Sequence, residues 1–167
     1  NTQIILIEPA CGSNTAIIKS FGKILCIDSG YACYREEMLK VLDSVIPGFD
    51  RMPKRLLLTH ADVDHCGIMN DFDEIITSCN SARSLKMESC GENGFREQNP
   101  LHKPYISICK TLTSYQTVDP QKLRTPWQDI GDLQEPLTQI GFFHFGDLHF
   151  EVYEGKGGHL PGEVVLI

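Results

Sequence analysis

Four residues of metal-ligand type fall within the six-residue stretch His60-Ala61-Asp62-Val63-Asp64-His65, directly after the apolar run Arg55–Thr59 and just before Gly67. Imidazole and carboxylate are ligands for zinc, iron and manganese, so the chemistry this loop can do is metal binding. On a tight loop, positions two apart project to a common side. His60, Asp62 and Asp64 can therefore converge, with His65 turned onto a neighbouring point, an arrangement that suits two metals a few ångströms apart. The alternative is a solvated acidic turn holding two incidental histidines. The density of ligand types between a buried strand and a glycine weighs against it.

Other reactive side chains carry less. His144 alternates with Phe143 and Phe145 on an expected strand, and with His102 and His149 it reads as a surface or satisfied core histidine. Cys66 follows the ligand run, but packing is the better reading than a thiolate role. The seven cysteines form an odd set with no Cys-x-x-Cys pair, which suits reduced thiols and a cytoplasmic protein better than a disulfide framework. Tyr105, Tyr115 and Trp127 read first as ordinary core and surface aromatics.

The loop needs elements to hold it. Strands are expected over Ile4–Glu8, Thr15–Lys19 and Lys23–Asp28, the last two joined by Ser20-Phe21-Gly22. Asp28-Ser29-Gly30 then closes a strand at the kind of edge where sites are assembled. Apolar residues at Met38, Leu39, Leu42, Val45 and Ile46 predict a helix over Arg35–Ile46, stopped by Pro47-Gly48. Arg55–Thr59 and Glu74–Thr77 read as short buried strands, and Asn80–Glu88 as a helix. From Cys90 to Gln134 glycines and prolines interrupt the pattern, with a helix expected over Tyr105–Tyr115. A hairpin follows over Thr138–Phe145 and His149–Glu154, turning at Gly146-Asp147. Gly155–Gly162 is a Gly- and Pro-rich loop with a single histidine, His159, and Glu163–Ile167 is a last strand.

At 167 residues and 41% hydrophobic, the chain reads as one domain with a real core. Its 15 basic against 22 acidic side chains give a formal charge of −7, which argues against a general nucleic-acid binder. No apolar run is long enough for a transmembrane helix. The expected partner is a small-molecule substrate, and a homo-oligomer is compatible with the sequence.

The stretch Thr59-His60-Ala61-Asp62-Val63-Asp64-His65 resembles the signature of the metallo-β-lactamase superfamily, His-x-His-x-Asp-His after a Thr- or Ser-ended strand. Asp28-Ser29-Gly30 resembles its upstream Asp-x-Gly strand end. Gly158-His159-Leu160-Pro161-Gly162 resembles the Gly-His-x-Pro-Gly loop that supplies its third metal-binding histidine. The resemblance spans nearly the whole chain. It implies an α/β, layered α+β fold, the αββα sandwich, of which 1–167 would be the N-terminal half to two-thirds. The chain would be a single domain incomplete at its C-terminus, with 90–134 as an insertion or lid over the site.

The same resemblance implies that His60, Asp62 and His159 hold one metal and that Asp64 and His65 begin a second site. Asp64 would orient or take a proton from a metal-activated water, and Asp28 would support the ligands from outside. One or two divalent ions, zinc, manganese or iron, would drive hydrolysis of a small ester, thioester, lactone or phosphoester.

Two departures modify the expectation. Asp62 stands where the family has a second histidine; a harder, anionic ligand favours manganese or iron over zinc and makes a bound metal a weaker Lewis acid. A carboxylate there is similar to flavodiiron oxidoreductases, which have Glu, and to the His-x-Asp-x-Asp-His of DNA-uptake competence-channel domains. A di-iron oxidoreductase, a manganese-dependent nuclease and a non-catalytic relic thus stand as alternatives. The family's bridging Asp and last His have no counterpart before Ile167, so the chain is expected to be a fragment.

Overall fold

Consecutive rather than alternating apolar residues mark the central strands, and each such pair is buried on both sides of a sheet. Ile17 and Ile18, Ile24 and Leu25, Leu56 and Leu57, and Ile75 and Ile76 all have relative exposures of 4% or less. Successive strand side chains point to opposite faces, so a sheet covered on both faces needs apolar residues at every position. In the computed structural model, which describes residues 2–131, 135–156 and 159–167, this sheet has six strands in chain order. They are β1 (Gln3–Ile7), β2 (Thr15–Ser20), β3 (Lys23–Ile27), β4 (Lys54–Leu57), β5 (Glu74–Ile76) and β6 (Leu123–Arg124). The first three pair antiparallel, and β3 to β6 run parallel.

One face of the sheet packs on helices. Ile17, Ile24, Cys26, Leu56 and Ile75 meet Met38 and Leu42 of α1 (Arg35–Val45) and Leu85 of α2 (Cys79–Ser89). The other face packs on a three-stranded antiparallel sheet, β7 (Leu137–Phe145), β8 (Leu148–Gly155) and β9 (Val164–Leu166). There Ile18, Leu25, Leu57 and Ile76 meet Ile140, Phe145, Val152 and Val164. The result is the layered α/β arrangement expected: helix, sheet, sheet. Parallel strands put their C-terminal ends at one edge, so the segments leaving β3, β4 and β5 converge there.

The elements expected from periodicity form with ends displaced by a residue or a few. The stretch 90–134 is more ordered than its glycines and prolines suggest. It holds α3 (Lys103–Leu112), with Pro104 in the first turn where its missing N–H costs nothing. It also supplies β6, two residues that carry no readable period. Residues 132–134 lie outside the described residues. Trp127 belongs to the core between the sheets, its indole N–H donating to the Phe142 carbonyl at 3.3 Å. A Cβ on Gly141 would come within 2.9 Å of that ring, so glycine there is a packing requirement. Among the described residues, no helix is long and apolar enough to cross a membrane.

Candidate metal centre

The segments after β3 and β4 are stitched together by the first of them. Asp28 has φ +59°, a left-handed conformation that Asp tolerates better than most residues. Its Oδ1 accepts from the Thr59 N–H at 2.8 Å and its Oδ2 from the Thr59 hydroxyl at 2.7 Å. Ser29 donates through both N–H and hydroxyl to the His65 carbonyl, at 2.8 and 2.9 Å. Gly67 N–H donates to the Gly30 carbonyl at 2.8 Å, and a Cβ on Gly67 would collide with that oxygen. The backbones touch there, which accounts for the glycine that ends the ligand run.

His60 is 5% exposed and Asp62 is 6% exposed. His60 Nδ1 lies 3.0 Å from Thr59 Oγ1. The Thr59 hydroxyl has one proton, and Asp28 Oδ2 can only accept it, so the hydroxyl in turn accepts from His60 Nδ1–H. This leaves the lone pair on His60 Nε2, and Nε2 is buried with no hydrogen-bond partner. Such an atom calls for an explanation.

His159 Nε2 lies 2.8 Å from Asp62 Oδ2, and its ring meets that of His60 edge-on, with centroids 5.2 Å apart. One ligand atom from each of His60, Asp62 and His159 lies within 4.8 Å of the others. An unpartnered imidazole nitrogen, a carboxylate and a second imidazole fit a divalent transition metal, and the group could hold one. For His159 to ligate through Nε2, that nitrogen must present its lone pair, with the ring proton on Nδ1.

Asp64 and His65 stand beside this group and pair with each other, His65 Nε2 being 3.4 Å from Asp64 Oδ2. His65 Nδ1 lies 2.8 Å from Asp28 Oδ2, an ion contact rather than an in-line hydrogen bond. The two rings, His60 and His65, are 4.0 Å apart. Burial and the His65 charge push the pKa of His60 down, so it stays neutral. Burial opposes charge on His65 too, but Asp28 and Asp64 outweigh it and lift its pKa to about 10. Burial likewise pushes Asp64 up, yet the hydrogen bond and charge of His65 hold it below the usual carboxylate range.

A consequence is testable in the metal-free protein. His65 has a folded pKa raised from 6.5 to about 10. Its contribution to stability is complete below pH 6.5 and lost as pH rises through 10. With a chelator present, urea midpoints are expected to fall across that range, and His65→Gln to flatten the fall. An unchanged slope in the variant would remove His65 as the cause.

The loop carrying His159 is anchored on its C-terminal side to both α2 and the segment after β4. The Gly162 carbonyl accepts from the hydroxyls of Ser78, the N-cap of α2, and Ser81, at 2.8 and 3.0 Å. Gly162 has φ +90°, and a Cβ there would lie 2.5 Å from Ser81 N. Val164 N–H donates to the Thr59 carbonyl at 2.8 Å, joining this loop to the ligand run. Gly157 and Gly158, two further glycines of the loop, lie outside the described residues.

One residue escaped the sequence reading. Arg96 Nη1 pairs with Asp62 Oδ2. Its segment is held by a partly buried network: Lys110 Nζ contacts Glu97 at 2.6 Å and Glu88 at 3.1 Å, and Tyr115 O–H donates to Glu88 at 2.7 Å. A guanidinium thus stands beside the Asp62 carboxylate, a partner that the sequence reading did not include. Tyr31, Tyr34, Asp64, Arg96, Tyr105 and His159 are among the residues lining a cavity of about 580 Å³ at this edge. Cys66 is fully buried, and burial first, then the nearby carboxylates, push its thiol well up, which makes it an inert packing residue.

No protein-family model and no curated protein matches the chain. Solved structures do. The metallo-β-lactamase GOB-18 from Elizabethkingia meningoseptica aligns over 92% of this chain at 16% identity and TM-score 0.62, covering 48% of its own length. MIM-1 from Novosphingobium pentaromativorans aligns over 92% of this chain and 48% of its own, at 19% identity and TM-score 0.60. A mutant flavo di-iron protein from Thermotoga maritima aligns over 92% of this chain and 30% of its own, at 13% identity and TM-score 0.54. The chain thus spans about half the length of the metallo-β-lactamase structures it matches. Architecture, strand order and these alignments agree: the chain has the metallo-β-lactamase fold.

Proposed function

We propose that this chain is the metal-binding part of a metal-dependent hydrolase acting on a small ester, thioester, lactone or phosphoester. The observation that carries the reading is the buried, unpartnered Nε2 of His60 beside Asp62 and His159 at a cavity wall. In this reading His60, Asp62 and His159 hold the metal, and Asp64 with His65 forms the start of a second position. A divalent cation there supplies Lewis acidity, acidifying a water and polarising a carbonyl or phosphoryl group.

The protein's own residues do the rest. Asp64, kept ionised by His65, accepts the proton of the attacking water at a carboxylate oxygen. Thr59 and Asp28 hold the His60 ring in the tautomer that ligates. Arg96 balances Asp62 and offers its remaining N–H groups to a substrate oxygen.

The test is turnover of p-nitrophenyl acetate, an acyl thioester, a lactone and a phosphodiester by protein loaded in turn with Mn(II), Fe(II) and Zn(II). Turnover of at least one class, lost on chelation and in Asp64→Asn, supports the reading. Metal-loaded protein inert toward all four counts against it. The carboxylate at Asp62 and the likeness to a flavo di-iron protein favour a second reading, a di-iron oxidoreductase. Consumption of oxygen or nitric oxide by iron-loaded protein, without hydrolysis, would select it.

A further inference from the structure

The β7–β8 hairpin carries a histidine pair far from the centre just described. His144 and His149 lie directly opposite each other across the two strands, one pair in from the turn at Gly146-Asp147. A Cβ on Gly146 would collide with the Ser20 hydroxyl, so this turn packs against the β2–β3 connection. That connection is at the start of β3, whereas Asp28 follows its end. The pair therefore sits at the opposite end of the sandwich from His60.

Both side chains are exposed. Their ring centroids are 4.5 Å apart, and His149 Nδ1 is 3.1 Å from His144 Nε2 and 3.4 Å from its Nδ1. Phe142, on the same face, stacks on the His149 ring at 5.2 Å and 25°, which restricts its rotation.

We propose that His144 and His149 form a separate metal site, a cross-strand two-imidazole chelate for a borderline divalent ion such as Cu(II), Ni(II) or Zn(II). Geometry carries the inference. With each metal–nitrogen bond at about 2.05 Å, a nitrogen separation of 3.1 Å closes an angle of ~98° at the metal, between the square-planar and tetrahedral values. Without metal the two rings share one N–H···N hydrogen bond. Binding moves that proton to the other nitrogen of its own ring, leaving both facing lone pairs for the ion. The ladder fixes both Cα positions beforehand, so little ordering is needed. The remaining coordination positions face solvent and take water or a donor from another molecule. Copper binds tightest in such an N-donor site.

The experiment follows the ring C–H resonances of all six histidines while Zn(II) is titrated into the protein, with Cu(II) followed by electron paramagnetic resonance. His144 and His149 are expected to shift together with one midpoint, and the copper spectrum to show two coordinated nitrogens. Exposed His144→Gln or His149→Gln is expected to weaken the site at least roughly tenfold, since a direct ligand outweighs an outer-shell partner. His60→Ala is expected to leave it intact. Silence of both resonances under saturating zinc would overturn the proposal, as would unchanged copper binding in the two Gln variants. Circular dichroism of those variants separates loss of the ligand from loss of the fold.

Discussion

Replacing His60 by Ala is expected to lower affinity for Mn(II), Fe(II) and Zn(II) by about a hundredfold or more, the loss of a direct ligand exceeding the roughly 10–100-fold typical of outer-shell changes. His60 differs from its neighbours in having no other employment for its inner nitrogen. Asp62 has Arg96 and His159, His65 has Asp28 and Asp64, but His60 Nε2 has no hydrogen-bond partner. The variant therefore removes a ligand without breaking an ion pair. The fold should hold, at the cost of the cavity left by a buried ring. Thr59→Val should act in the same direction more weakly, since the hydroxyl only fixes which nitrogen of His60 carries the proton. Calorimetric titration of both variants checks the order. Equal affinity in wild type and His60→Ala would remove His60 from the ligand set.

The second large effect concerns Asp62 and its counter-ion. Asp62→His alone exchanges a carboxylate for an imidazole and shifts preference toward zinc. It also leaves the Arg96 guanidinium beside a divalent cation with nothing to neutralise it, a like-charge contact in a partly buried setting. Overall affinity is therefore expected to fall about tenfold or more, as when one partner of a desolvated charge pair is removed. Asp62→His with Arg96→Gln removes both charges together. The double variant is expected to recover affinity, keep the zinc preference and move any hydrolytic pH optimum downward. Titrating the two single variants and the double variant with Mn(II) and Zn(II) isolates the coupling. Additive effects would mean that Arg96 and Asp62 do not act as a pair.

The cluster His60–His65 stood out as a candidate ligand run because its information is local: four ligand types, a buried strand before them and a glycine after them. The structure explains the glycine by the contact of two backbones. The strands β2 to β5 were legible as apolar runs, with their consecutive apolar pairs answering to two cores, one on each face. His159 was singled out by the resemblance of its loop to a family motif rather than by composition, and Ser78 and Ser81 supply the anchor that spacing alone did not reveal. Convergence along the ligand run was only partly readable. Asp64 faces His65, while His159, distant in sequence, completes the group with His60 and Asp62.

Arg96 was not legible at all. Its partner is 34 positions away, and it sits in a stretch whose glycines and prolines hide the packing of α3 and the Glu88–Lys110–Glu97 network. The pairing of His144 with His149 needed the hairpin register, which a turn dipeptide suggests but does not specify to the residue.

The central claim, that His60, Asp62 and His159 hold a divalent metal, is tested most directly by anomalous X-ray scattering. Crystals of protein loaded with one equivalent of Mn(II) or Zn(II) would be measured on either side of the metal's absorption edge. The account predicts a peak about 2.0–2.2 Å from His60 Nε2, an Asp62 carboxylate oxygen and His159 Nε2. A peak elsewhere with none among these three residues, or His159 turned away from His60, would contradict it.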